Sequence, residues 1–118
     1  MIENDSSQRE LMRTILENRG FEVSEACCGR DGIECLAERD FAAIILDLRM
    51  PDGNGELVVQ WIIQNRIHLR SRILIVTGEV MTPAMEAFLE RLQLLMLPKP
   101  YLLADFVRIV EALAARGA

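Results

Sequence analysis

Apolar and polar positions follow two periods along this chain. Ala42 to Leu46 is an unbroken apolar run rich in branched side chains, as in a strand covered on both faces of a parallel sheet, and it ends at Asp47. Met50-Pro51 and the Asp52-Gly53-Asn54-Gly55 cluster then predict a turn. Arg72 to Thr77 repeats the pattern, with Ile73 to Val76 apolar and a polar end at Thr77-Gly78-Glu79. Leu94 to Leu97 predicts a further strand closed by Pro98-Lys99-Pro100, and Phe21 to Glu25 alternates enough for a short one.

Between these runs the spacing is helical. Asp5 or Ser6 can cap a helix carrying Leu11, Ile15 and Leu16, which Gly20 stops. A second helix carries Ile33, Leu36 and Ala37, and a third, from Gly55 to Arg66, turns Leu57, Val58, Trp61 and Ile62 inward. A fourth starts near Pro83, where a missing N–H costs little, and buries Met85, Phe88, Leu89 and Leu92. Leu102, Phe106, Ile109, Val110 and Leu113 line the last. With Met1-Ile2 as a first strand stub, strands and helices alternate as five βα units. That order calls for an α/β fold with a doubly wound parallel sheet, right-handed crossovers and helices on both faces.

Composition narrows the class. The 118 residues suit a single domain spanning 1–118, and 51% hydrophobic with 26% charged residues is a globular balance. No apolar run reaches the ~18 residues of a membrane span, and the start has no signal-peptide pattern, so a cytoplasmic location is expected. A net charge of -5 argues against direct nucleic-acid binding. Cys27, Cys28 and Cys35 lack CxxC spacing and read as reduced structural thiols, while a single histidine, His68, leaves little for zinc or Ser-His chemistry.

In a parallel sheet the carboxyl ends of the strands share one rim, where ligand crevices form. Glu3-Asn4, Asp47, Thr77 and Lys99 should meet there. Carboxylate and amide oxygens suit a hard cation such as Mg²⁺. That cation and the Lys99 ammonium can neutralise a phosphoryl group that Asp47 attacks as nucleophile, with Thr77 donating a hydrogen bond to the product. Taken singly, Asp47 reads as a cap, Lys99 as a turn charge and Thr77 as a strand end; their joint placement favours the site. Trp61, Phe88 and Phe106 read as core.

These residues in this order resemble the receiver domain of bacterial two-component response regulators over nearly the whole chain. The carriers are the acidic cluster Glu3-Asn4-Asp5, Asp47 with Met50-Pro51, Thr77-Gly78 and Lys99-Pro100. The resemblance implies a flavodoxin-like (βα)5 fold with strand order 2-1-3-4-5 and phosphorylation of Asp47 by a histidine kinase or phosphotransfer protein. It implies Mg²⁺ held by Glu3, Asn4, Asp47 and the backbone carbonyl of Arg49. It also implies a Thr77–Met96 switch that controls a downstream protein partner, or a homodimer, through the face of the fourth helix, fifth strand and last helix.

Three departures from the family pattern change the expectations. Asn4 stands where a second acid is usual, which predicts weaker Mg²⁺ binding. Met96 replaces the switch aromatic and predicts a looser coupling between Thr77 and the output face. The first strand has two apolar residues where several are usual, which leaves neighbouring edges partly unpaired if no residues precede it.

Other functions fit less well. An aspartyl-phosphate phosphatase or phosphotransferase needs a second acid two residues beyond its nucleophile, and that position is Arg49. A flavin carrier lacks its phosphate loop after the first strand. A phosphorylation-independent interaction module with the receiver fold is the alternative that Asn4 and Met96 support. The expected role is thus that of a kinase substrate rather than an enzyme.

Overall fold

In this computed structural model residues 1–48, 55–78 and 82–116 are described. The helices are α1 (Ser6–Glu17), α2 (Gly29–Glu38), α3 (Gly55–Asn65), α4 (Pro83–Arg91) and α5 (Leu103–Arg116), with a 3-10 turn at Ile67–Arg72. The strands are β1 (Ile44–Asp47), β2 (Ile73–Thr77) and β3 (Leu95–Pro98), parallel in the order β1-β2-β3. Met50-Pro51, Asp52 and Glu79 lie outside the described residues, as does Arg49.

The predicted first and second strands are reduced to bridges. Ile2 pairs in parallel with both Ala26 and Leu46. The Ile2 amide donates to the Ile45 carbonyl at 2.7 Å and the Asp47 amide to the Ile2 carbonyl at 3.0 Å. On the other side the Ala26 amide donates to Met1 at 2.9 Å and the Glu3 amide to Ala26 at 3.1 Å. Along Phe21 to Glu25 the structure shows hydrogen bonding to the first segment near the end alone, where the Met1 amino group donates to the Ser24 carbonyl at 2.9 Å. The order of segments, 24–26, 1–3, β1, β2, β3, is the expected 2-1-3-4-5, and the fold is flavodoxin-like α/β.

Alternating side chains divide the core in two. Ile44, Leu46, Ile73 and Ile75 face a layer built from α2, α3 and α4, including Leu36, Val58, Val59, Ile62 and Leu89. Ile45, Leu74 and Val76 face α1 and α5 through Met12, Leu16, Phe106, Val107, Val110 and Leu113. Gly32 lets α2 approach the stub, for a Cβ there would stand 2.4 Å from Ile2 Cδ1. Gly55 starts α3 directly against β1's exit, where a Cβ would meet the Leu48 backbone oxygen at 2.9 Å.

Local chemistry sets the helix ends. Asp5 caps α1, its Oδ1 accepting from the amides of Ser7 at 2.9 Å and Gln8 at 3.1 Å. The chain leaves α1 through Gly20 at φ 89. Thr82 caps α4 ahead of Pro83, accepting from the Met85 amide at 3.2 Å.

Several expected inward positions point outward. Leu11 and Leu57 are about half exposed and Leu102 is 70% exposed. The inward stripe of α1 runs through Met12 and Leu16, and that of α3 through Val58, Val59 and Ile62. Leu11 and Leu57 each lie about 100° off their stripe, one residue early. Leu102 precedes α5. Ala37 and Ala42 are also exposed, and the last strand runs one residue later than its apolar run. No helix among the described residues is long and apolar enough to cross a membrane.

Candidate functional site

The register of the sheet gathers the strand ends. Asp47 lies opposite Val76, and Thr77, the next residue on β2, lies opposite Pro98, so Lys99 emerges beside both. The Lys99 amide donates to the Thr77 carbonyl at 2.8 Å. The Asp47 amide is tied to Ile2 as above, and this sets Glu3 next to Asp47 on the same rim. Glu3, Asp47 and Thr77 are the buried polar side chains among the described residues.

The Lys99 ammonium lies 3.0 Å from Asp47 Oδ2 and 3.5 Å from Glu3 Oε2. Glu3 Oε1 accepts from the Asp5 amide at 3.2 Å. Burial pushes the Glu3 carboxyl up to about 7, and a hydrogen bond to Asp47 and that residue's negative charge push the same way, with Lys99 opposing them. One ammonium thus faces two carboxyl groups, and their repulsion strengthens the hold of Glu3 on its proton. Tyr101, stacked on Phe106 with centroids 5.6 Å apart, is pushed up to about 12 by burial and then by the charges of Glu3 and Asp47.

A cleft of about 230 Å³ opens over this cluster, lined by Glu3, Asn4, Asp5, Gln8, Asp47, Gly78 and Lys99. Its donors fit a hard divalent cation. Two carboxyl groups that share a hydrogen bond would exchange it for a common cation, and the exposed Asn4 lies on the wall beside them. Of the expected residues, Glu3, Asn4, Asp47 and Lys99 meet at this cleft. Thr77 is buried below its rim, and Gly78 takes the lining position. Met96 lies away from the cleft, 41% exposed on β3 and in register with Ile75.

Two contributors carry no motif. Arg9 Nη1 donates to the carbonyls of Glu3 at 2.7 Å and Asn4 at 3.1 Å, fixing the backbone that presents both side chains. Gln8 enters the lining from the same turn of α1. The signal for both was the Asp5 cap, which turns the first residues of α1 back over the strand end.

The architecture matches known proteins. A receiver domain protein (CheY-like) of Methanospirillum hungatei superposes with a TM-score of 0.86 at 19% identity, covering 98% of this chain and 90% of that one. The transcriptional regulatory protein GltR of Pseudomonas aeruginosa is 34% identical over 62 residues, 52% of this chain and 26% of that protein. SrrA of Staphylococcus aureus, also a transcriptional regulatory protein, is 29% identical over 79 residues, 67% of this chain and 32% of that protein. The matches thus span about a third or less of these curated relatives. The family model described as response regulator receiver domain matches residues 1–111. A sheet whose carboxyl rim presents Asp47 to Lys99, and a family match over nearly every residue, lead to one conclusion: the chain belongs to the response regulator receiver domain family.

Proposed function

We propose that this chain is a single receiver domain over residues 1–118 that takes a phosphoryl group onto Asp47 and signals through a protein-interaction face. The observation that carries this reading is the Asp47 carboxylate, held at the end of a buried strand 3.0 Å from the Lys99 ammonium. The family is one of signalling domains rather than catalytic enzymes, and its phosphorylation is in general Mg²⁺-dependent. Here Glu3, Asp47 and Asn4 would hold the cation, with the Arg49 carbonyl as the further ligand that the family resemblance supplies. When bound, Mg²⁺ supplies positive charge for the oxygens of the incoming phosphoryl group.

In the transfer, an Asp47 oxygen attacks phosphorus. The bond from phosphorus to the donor breaks, its electron pair leaves with the donor, and an acyl phosphate remains on Asp47. Lys99 shifts from pairing the carboxylate to pairing the new phosphate. That group adds about two negative charges beside Thr77. Thr77 donates to it, and Met96 turns toward the space behind Thr77, reshaping the face of α4, β3 and α5. The donor is a histidine kinase or phosphotransfer protein, the reader is a downstream protein or a second copy of the chain, and the setting is cytoplasmic.

Intact mass after incubation with acetyl phosphate and Mg²⁺ tests the reading. The native chain should gain one phosphate, and Asp47→Asn should gain none. A gain that survives in Asp47→Asn refutes the assignment. A native chain that gains nothing but still binds its partner supports the phosphorylation-independent module instead.

A further inference from the structure

Away from the carboxyl rim, a second cluster of potential ligands stands at the start of α2. Cys27 is exposed, Cys28 is half-buried and Asp31 is exposed in the first turn of the helix. One ligand atom from each of the three lies within 4.8 Å of the others. The Cys27 thiol donates to Asp31 Oδ2 with sulfur and oxygen 3.4 Å apart. Cys28 is the N-cap residue of α2, yet its side chain makes no capping hydrogen bond, so its sulfur is not committed to the helix.

From this geometry we infer that Cys27, Cys28 and Asp31 form a binding site for a thiophilic divalent cation, zinc above all. Zinc holds thiolate sulfur at about 2.3 Å and carboxylate oxygen at about 2.0–2.2 Å, and a tetrahedral angle between such bonds sets sulfur and oxygen about 3.5 Å apart. The Cys27–Asp31 separation is already at that value without rearrangement. Binding replaces the two thiol protons, which leave to solvent, and forms two zinc–sulfur bonds and one zinc–oxygen bond. The three anionic ligands and the dication together carry one negative charge, which the N-terminal end of the α2 dipole favours. A water fills the fourth position.

Softness separates this site from the cleft over Asp47. Thiolates select zinc and its congeners, whereas the oxygen donors of Glu3 and Asp47 select Mg²⁺. A disulfide between Cys27 and Cys28 is the competing use of these sulfurs, and adjacent residues close that bond poorly. The site also has a structural connection. Ala26, the residue before Cys27, exchanges backbone hydrogen bonds with Met1 and Glu3, so a cation that clamps residues 27 to 31 stiffens the turn behind the acidic cleft.

The test is a titration of the reduced full chain with Co²⁺ in excess Mg²⁺, read by the thiolate-to-cobalt charge-transfer band, followed by displacement with Zn²⁺. The expected result is one equivalent bound, displaced by Zn²⁺, with the band lost in Cys27→Ser and Cys28→Ser. Asp31→Asn, a change at an exposed residue, should weaken the affinity several-fold, while Cys35→Ser and Asp47→Asn leave it unchanged. Absence of a thiolate band in the native chain overturns the inference. So does undiminished affinity in Asp31→Asn, or a band that Cys35→Ser removes and Cys27→Ser keeps.

Discussion

β2 and β3 are neighbours in one sheet, both written in apolar residues, and they meet opposite fates. Every residue of β2 from Ile73 to Thr77 is buried, whereas Leu95 and Met96 of β3 are 40% and 41% exposed. β2 lies between two strands, with Phe106 and Val110 packed on one side and Val58 and Ile62 on the other. β3 pairs with β2 along one edge, and among the described residues no strand covers its other edge. The two strands therefore differ in what they leave to solvent: β2 holds the sheet in register under the acidic rim, and β3 leaves apolar surface exposed.

Truncation measures that division most directly. Leu74→Ala should cost about 2–5 kcal/mol, because it removes a side chain packed on all sides and leaves a cavity, whereas Leu95→Ala should stay within about 1 kcal/mol. Chemical denaturation of both variants reads the difference. Equal losses would mean that β3 is covered as deeply as β2 and would erase the contrast.

A second test concerns the charge that the buried side tolerates. Glu3 holds its proton more tightly folded than unfolded, with its pKa raised from 4.5 to about 7. Between those values the folded state binds more protons, so stability falls as pH rises through the window and the loss is complete above it. Denaturation in a metal chelator from pH 4 to 8 should show this decline in the native chain. Glu3→Gln should flatten it and be the more stable protein at pH 8. A slope that persists unchanged in Glu3→Gln would assign it to other groups.

The smallest effect on stability, and the sharpest on assembly, is expected at Met96. Met96→Tyr on the exposed strand should change stability by no more than about 0.5 kcal/mol. If Met96 samples inward and outward positions, as the proposed switch requires, the native chain should show basal self-association through α4, β3 and α5, raised by the phosphoryl mimic beryllofluoride. Met96→Tyr should lower the basal part and keep the response. Light scattering that finds monomer in all four conditions would remove this face as a dimer surface.

Much of the molecule follows from short-range patterns. The apolar runs ending at Asp47 and Thr77, the cap at Asp5 and the proline at the head of α4 are local events, and each stands where periodicity and capping chemistry put it. Asp47 and Lys99 could be paired in advance because parallel strands deliver their carboxyl ends to one rim. Other features depend on what a distant segment covers. Leu11, Leu57 and Leu102 are as apolar as their buried neighbours, and only the packed arrangement turns them outward. Phe21 to Glu25 has the alternation of a strand, but it is the bridge between Ile2 and Ala26, a tertiary contact, that carries the pairing at this edge. Arg9 joins the site through backbone carbonyls, which any sequence possesses, so beyond the Asp5 cap that places its turn no residue pattern marks them as its partners. Cys27, Cys28 and Asp31 converge because an extended cap residue meets the first turn of α2, a geometry set where the chain leaves its bridge to Ile2. Periodicity carries information over a turn or a pleat; coverage, convergence and register are properties of segments that meet only after the chain has folded.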